Sequence, residues 1–188
     1  MTSLVCLLEE PSAAEMLKGV LPRLLPEITT TFITFEGKQD LEKRFVKRIK
    51  FWQDPKAVFL VMRDQDSGNC KTIKKRLMTM VQETGKADRV LIRIACRELE
   101  SFYLGDLAAV EAGLEIKGLK KLQKKEKFRD PDHLENPSKI LNSLTAGYYQ
   151  KVSGSETIAP FMDLEPEINR SVSFQVLLSG LKRLCKSV

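Results

Sequence analysis

Three short acidic patterns stand where apolar runs end. The run SLVCLL closes on Glu9-Glu10, AVFLVM is followed by RDQDSG with Asp64 and Asp66, and RVLIRIA leads into CRELES with Glu98 and Glu100. Carboxylates brought together without partners repel one another and hold their protons more tightly. A hard divalent cation relieves that repulsion, and oxygen ligands are what Mg2+ or Mn2+ prefers. The same residues have a plainer use, because an acid in the first turn of a helix gains about 0.3–1 kcal/mol from the helix dipole with no metal at all. Glu98 and Glu100 fit either role. Asp64-Gln65-Asp66 runs instead into Ser67-Gly68, an exposed turn in which a cap has no helix to serve.

Charge supplies the second chemical feature. The chain of 188 residues has a formal charge of +6, from 31 Lys+Arg and 25 Asp+Glu. The run 117–129, KGLKKLQKKEKFR, holds seven of those basic residues and one acid, so the remainder carries 24 of each sign and is neutral. Within it Lys117, Lys120, Lys121, Lys124 and Lys125 fall at the i, i+3, i+4, i+7, i+8 positions of a helix, with Leu119 and Leu122 opposite for docking. One cationic face of that kind tracks phosphates, with an affinity that falls steeply with salt; a solvated helix face is the bland alternative.

These residues need a scaffold. Apolar runs at 3–8, 28–35, 57–62 and 89–95 are continuous rather than alternating, and three of them are followed by amphipathic segments, at 12–25, 38–51 and 70–84. Strands covered on both faces read this way, so the chain is predicted to be α/β, with a mostly parallel four-stranded sheet flanked by helices. Ser12 with Glu15 three residues on has capping-box spacing for the first helix. After residue 105 the pattern turns helical, at 106–112, 119–128, 136–145, 149–162 and 173–186. The expected organisation is an α/β core over 1–105 and a helical extension over 106–188 packed on it, in one compact domain. Ligands of such sheets bind where the strands end, which is where the acids stand.

The residues also carry a resemblance. A strand ending in Glu, a helix, and a later strand ending in an Asp-x-Asp pair resembles the Toprim domain of topoisomerases, bacterial primases and overcoming-lysogenization-defect nucleases. More closely, LLEEPSAAEML, FEGKQDL, RDQDSGNC, RIACRELESFYLGD and NRSVSF look like a bacterial family of unknown function with a Toprim-like core. The resemblance covers nearly the whole chain. It implies that Glu9 is the Toprim glutamate, a metal ligand or general acid/base, and that Asp64 and Asp66 are the two aspartates. Glu10 and Pro11 depart from it, since Toprim usually has glycine after the glutamate. Glu98 and Glu100 lie outside the common motif. The resemblance further implies phosphate contacts from Lys139, Lys151 and Arg170, and a phage-defence setting beside an ATPase.

The expectation is therefore a Mg2+-dependent (or Mn2+-dependent) nuclease acting on nucleic acid. The competing expectation is a non-catalytic regulatory module of an ATPase complex. Several classes are excluded on sequence alone. No GxxxxGK[ST] loop is present to bind ATP. His133, in DPDHLENP, is expected in a loop with no catalytic constellation about it, and Cys6, Cys70, Cys96 and Cys185 are scattered, which argues against structural zinc and for free thiols. No apolar run is long enough to span a membrane and the first residues do not make a signal peptide, so a cytoplasmic location is expected. Tyr103, Tyr148 and Tyr149 are expected to pack helices, and Ser171 to cap the last one.

Overall fold

The computed structural model describes residues 2–186. Four strands, β1 (Ser3–Leu8), β2 (Thr29–Thr34), β3 (Ala57–Asp64) and β4 (Val90–Ala95), form one sheet in the order β2-β1-β3-β4, all parallel. The first three strands are each followed by a long helix: α1 (Pro11–Leu24), α2 (Lys38–Lys50) and α3 (Cys70–Gln82). After β4 come α4 (Glu100–Leu104), α5 (Leu107–Gly113), α6 (Pro137–Leu144), α7 (Lys151–Ile158) and α8 (Val172–Lys186).

Burial on both faces explains the continuous apolar runs of the central strands β1 and β3, whereas the edge strand β2 leaves Thr29, Thr31 and Thr34 exposed. Along the central strands β1 and β3, Leu4, Cys6, Leu8, Val58, Leu60 and Met62 point to one side, into a core shared with α1 and the later helices. Val5, Leu7, Phe59 and Val61 alternate to the other side, against Leu41, Phe45 and Ile49 of α2 and Leu77 and Val81 of α3. Side chains from α4, α5, α7 and α8 belong to the same core cluster as α1, so the later helices complete one face of the sheet.

The strand order has a consequence for function. From β1 the chain moves outward to β2 on one side, and from β3 it moves outward to β4 on the other. Helix α1 leaves β1 on one face while α3 leaves β3 on the opposite face. The carboxyl ends of β1 and β3 therefore border the crevice of a topological switch point, the usual ligand position in doubly wound sheets. Glu9 follows β1 and Asp64 ends β3.

Two local expectations are corrected. The first helix begins two residues earlier than the capping-box spacing predicts, with Glu10 rather than Ser12 at the N-cap position. Pro11 occupies its first turn, where a preset φ and a missing N–H are no handicap. Ser12 thus lies inside the helix and donates its hydroxyl to Glu10 Oε1 at 2.8 Å instead of capping. The segment 117–129 is not one α-helix. It forms two short 3-10 turns, Lys120–Lys124 and Glu126–Phe128, separated by Lys125 in extended conformation. Gln123 donates to the Leu104 and Phe128 carbonyls and accepts from Leu107 N at 2.7 Å, while Glu111 accepts from Lys120 N at 2.8 Å. These tertiary bonds pin the segment in a shape that an α-helix cannot adopt, and the single cationic stripe does not form. The docking side is as expected, with Leu119 buried and Leu122 packed against the core.

Candidate functional site

The centre of the site is a bond between two strand ends. Leu8 pairs with Met62, and the ladder runs one step further as Glu9 N–H donates to the Met62 carbonyl at 3.2 Å. The Glu9 side chain then crosses the crevice, and its Oε2 accepts from Asp64 N–H at 2.9 Å. Arg63 stands beside it, Nε 3.9 Å from the same oxygen. Burial raises the Glu9 proton affinity against the opposing pull of the Asp64 N–H and Arg63. Asp64 is shifted further, well above the ordinary carboxylate range. Burial is the leading cause, followed by the charges of Glu100, Glu9 and Glu10, with the Leu99 N–H opposing.

Glu100 is the deepest member, with 0% exposure. Its Oε1 accepts from the Tyr149 hydroxyl at 2.9 Å, and its Oε2 has no partner. A buried carboxylate oxygen left unpaired costs several kcal/mol in its ionised form, by order of magnitude, so the group holds its proton more tightly; burial raises it, and Lys151 is the chief opposing charge. Lys151 opens α7 with its ammonium 3.4 Å from Glu10 Oε1. Burial alone would lower its proton affinity, but Glu100, Glu10 and Asp64 outweigh burial and raise it. Three carboxylates, Glu10, Asp64 and Glu100, thus share one cation from the helical extension, while Glu9 has Arg63 beside it.

Other sequence-derived candidates are placed elsewhere. Asp66 adopts a left-handed φ of 56°, which breaks the alternation that would have kept it on the face of Asp64. Its carboxylate pairs with Lys38 at 2.8 Å and with Arg63 at 3.2 Å. Arg63 also bonds Glu42, which binds Arg76, so Asp66 belongs to a network of two acids and three bases at the start of α2. Glu98 accepts from Ser138 N at 2.8 Å and serves the first turn of α6. Lys139 and Lys151 line a shallow pocket of about 350 Å³ together with Tyr149. Lys117 and Lys125 are exposed on the turn segment. Lys120, Lys121 and Lys124 share a different groove with Arg170, apart from Lys139 and Lys151.

Sequence reasoning missed part of the centre. Glu10, counted among the strand-end acids but given no role, sits in it beside Glu9 and pairs with Lys151. Arg63 was visible as a lone charge in an apolar strand, and its 5% exposure marks it as the organiser of the acids around it. Tyr103 and Tyr149 pack as expected, ring centroids 6.0 Å apart, but Tyr149 also holds Glu100. Tyr148 does not pack and is 73% exposed. His133 lies exposed on a short turn and pairs with Asp130, and the four cysteines are free thiols. Ser171 caps α8 as expected, accepting from Phe174 N at 3.2 Å, and itself donates to buried Asp132 at 2.6 Å.

Fold and site together define a doubly wound parallel α/β protein with an acidic centre at its switch point. Residues 8–182 match the family model described as Domain of unknown function (DUF4276), and the chain belongs to that family. Neither the curated proteins nor the solved structures give a match to the chain. Among the described residues no helix is long and apolar enough to cross a membrane.

Proposed function

We propose that the protein is a Mg2+- or Mn2+-dependent phosphodiesterase with a Toprim-like centre, cleaving nucleic acid. The observation that carries this reading is the meeting of Glu9, Asp64 and Glu100 at the switch point, all with raised proton affinity and one with a buried, unpartnered oxygen. Such a centre is poorly served by the protein's own groups and well served by an added cation. The Toprim likeness belongs to this proposal and is supported by Glu9 and Asp64 lying at the ends of adjacent parallel strands.

The donor chemistry fits a hard divalent cation: carboxylate oxygens only, with Glu100 Oε2 free. Among the described residues no group of three His, Cys, Asp or Glu side chains is placed to hold a metal ion as it stands, so Glu9, Asp64 and Glu100 would have to move for one to load. Glu9, Asp64 and Glu100 would hold the ion, which when bound supplies Lewis-acid polarisation of a phosphate and a more acidic water. The rest follows from the chain. Tyr149 holds Glu100 in place through its hydroxyl. Lys151, half exposed beside the acids, is positioned to take a phosphate oxygen. Carboxyls shifted toward neutrality are suited to accept a proton from an attacking water and return it to a leaving group. Asp66 is assigned a supporting role, since Lys38 and Arg63 already neutralise it.

The phage-defence setting and the ATPase partner are part of the proposal and rest on the family resemblance. A non-catalytic module of such a complex is the second reading, favoured by that neutralisation of Asp66. Cleavage of labelled single- and double-stranded DNA and of RNA, with Mn2+ or with EDTA, decides between them. Metal-dependent cleavage is expected, reduced at least about a hundredfold by Asp64→Asn, as for loss of a residue at the reacting centre. Cleavage that survives both Asp64→Asn and Glu9→Gln would sink the enzyme reading.

A further inference from the structure

We propose a second site, a groove that binds a nucleoside phosphate, independent of whether the acidic centre is catalytic. It measures about 650 Å³, within the size range of small-ligand sites. One wall is the 3-10 turn carrying Lys120, Lys121 and Lys124, and the other is the loop carrying Ile168 and Arg170.

Both walls are built. The turn is tied down by Gln123 and by Glu111, as described above. The loop is pinned where Arg170 N–H donates to the Gly105 carbonyl at 2.9 Å and Asn169, 1% exposed, donates to the Phe102 carbonyl. A Cβ added at Gly105 would lie 2.1 Å from Asn169 Oδ1, so the close approach requires glycine there. Four cationic side chains are thereby held around one concavity.

Those four cations outnumber the two acids that line the groove with them, Asp106 and Glu111, and Glu111 feels the charge of Lys120. The two acids of the groove are engaged with backbone: Asp106 accepts from Ala109 N at 3.0 Å and Asp163 N at 2.8 Å, and Glu111 from Lys120 N at 2.8 Å. None of Lys120, Lys121, Lys124 and Arg170 forms an ion pair among the described residues. The walls between them are apolar, with Gly105, Ala108 and a 55% exposed Ile168. Mutually repelling cations around an apolar floor match a ligand with two or more phosphate charges and a flat hydrophobic ring. Arginine adds forked recognition of a phosphate to the point charges of the lysines. A free nucleoside diphosphate and one nucleotide of a strand share this chemistry.

Binding in EDTA isolates the groove from any metal at the acidic centre. The probes are pyrophosphate by calorimetry, and ADP and a short single-stranded DNA, both fluorescently labelled, by anisotropy. The substitutions in the groove, at Lys121, Lys124, Ile168 and Arg170, are all at exposed positions, with thermal unfolding as the control for folding. The triple change Lys121→Gln, Lys124→Gln, Arg170→Gln is expected to weaken nucleotide and pyrophosphate binding by about tenfold or more and to flatten its salt dependence. Ile168→Ser is expected to weaken ADP several-fold and leave pyrophosphate unchanged. Asp64→Asn is expected to change neither. Displacement of the strand by unlabelled ADP assigns the site to free nucleotides; strand binding that ADP does not displace assigns it to a nucleotide within a strand. Absence of binding by every probe, or binding indifferent to the triple change, overturns the site, and equal effects of Ile168→Ser on all probes overturn its nucleoside part. If the groove binds while no metal-dependent cleavage is found, only the reading of the acidic centre falls.

Discussion

Asp64 gathers more unfavourable charge than any other residue of the centre, and its protonation state governs how the site behaves without metal. In the folded chain Asp64 holds its proton above the ordinary 3.8, and Glu9 and Glu100 above 4.5. Between those ordinary values and the raised ones the folded state binds more protons than the unfolded state. Stability from these groups is therefore fully present at low pH and is lost as pH rises through the raised values. In EDTA, Asp64→Asn is expected to raise the melting temperature at pH 8 by a few degrees, about 2–4 °C for each kcal/mol of repulsion removed, and to shrink the difference between pH 5 and pH 8. Thermal unfolding at the two pH values checks this, and a variant less stable than wild type at pH 8 contradicts it. At this scale the sequence was informative about residue type and silent about direction. Asp-x-Asp spacing in a continuing strand places both carboxylates on one face. The left-handed turn at Asp66 and the pull of Lys38 and Arg63 from distant positions separate them.

At the scale of elements, the site depends on how α7 meets the sheet edge. Tyr149 reaches Glu100 because its ring lies on Gly154, where an added Cβ would stand 2.5 Å from the ring. Gly154→Ala therefore has to displace the ring, and the expected cost is about 1–3 kcal/mol for overpacking, read as a lower melting temperature together with reduced cleavage. Unchanged stability and activity would show that the ring has room to move. The elements themselves differ in how readable they were. Strands and long helices were legible because each apolar run or amphipathic period is local information. The segment 117–129 was not, since its shape is decided by Gln123 and Glu111 bonding across the fold. NRSVSF is similar. Asn169 and Ser171 are buried and structural, and only Arg170 faces the groove, a division that one-dimensional spacing does not reveal.

Over the whole molecule, the acids come from the first hundred residues and their cation from Lys151 beyond them, so site and core both cross the boundary drawn at residue 105. The face of α1 that includes Met16, Leu17, Val20 and Leu21 is buried in a core shared with Ile158, Ala159, Met162 and Leu177. A fragment of residues 1–105 is expected to expose that face and to unfold without a cooperative thermal transition, as circular dichroism would record; a sharp transition would make the first part an autonomous domain. The central claim, that the switch-point acids form a divalent-metal centre, is tested most directly by Mn2+ binding followed by electron paramagnetic resonance on wild type, Asp64→Asn and Asp66→Asn. Saturable binding at millimolar Mn2+ that is lost in Asp64→Asn and kept in Asp66→Asn is the expected result. No saturable binding to the wild type, or binding that Asp64→Asn leaves intact, would contradict it.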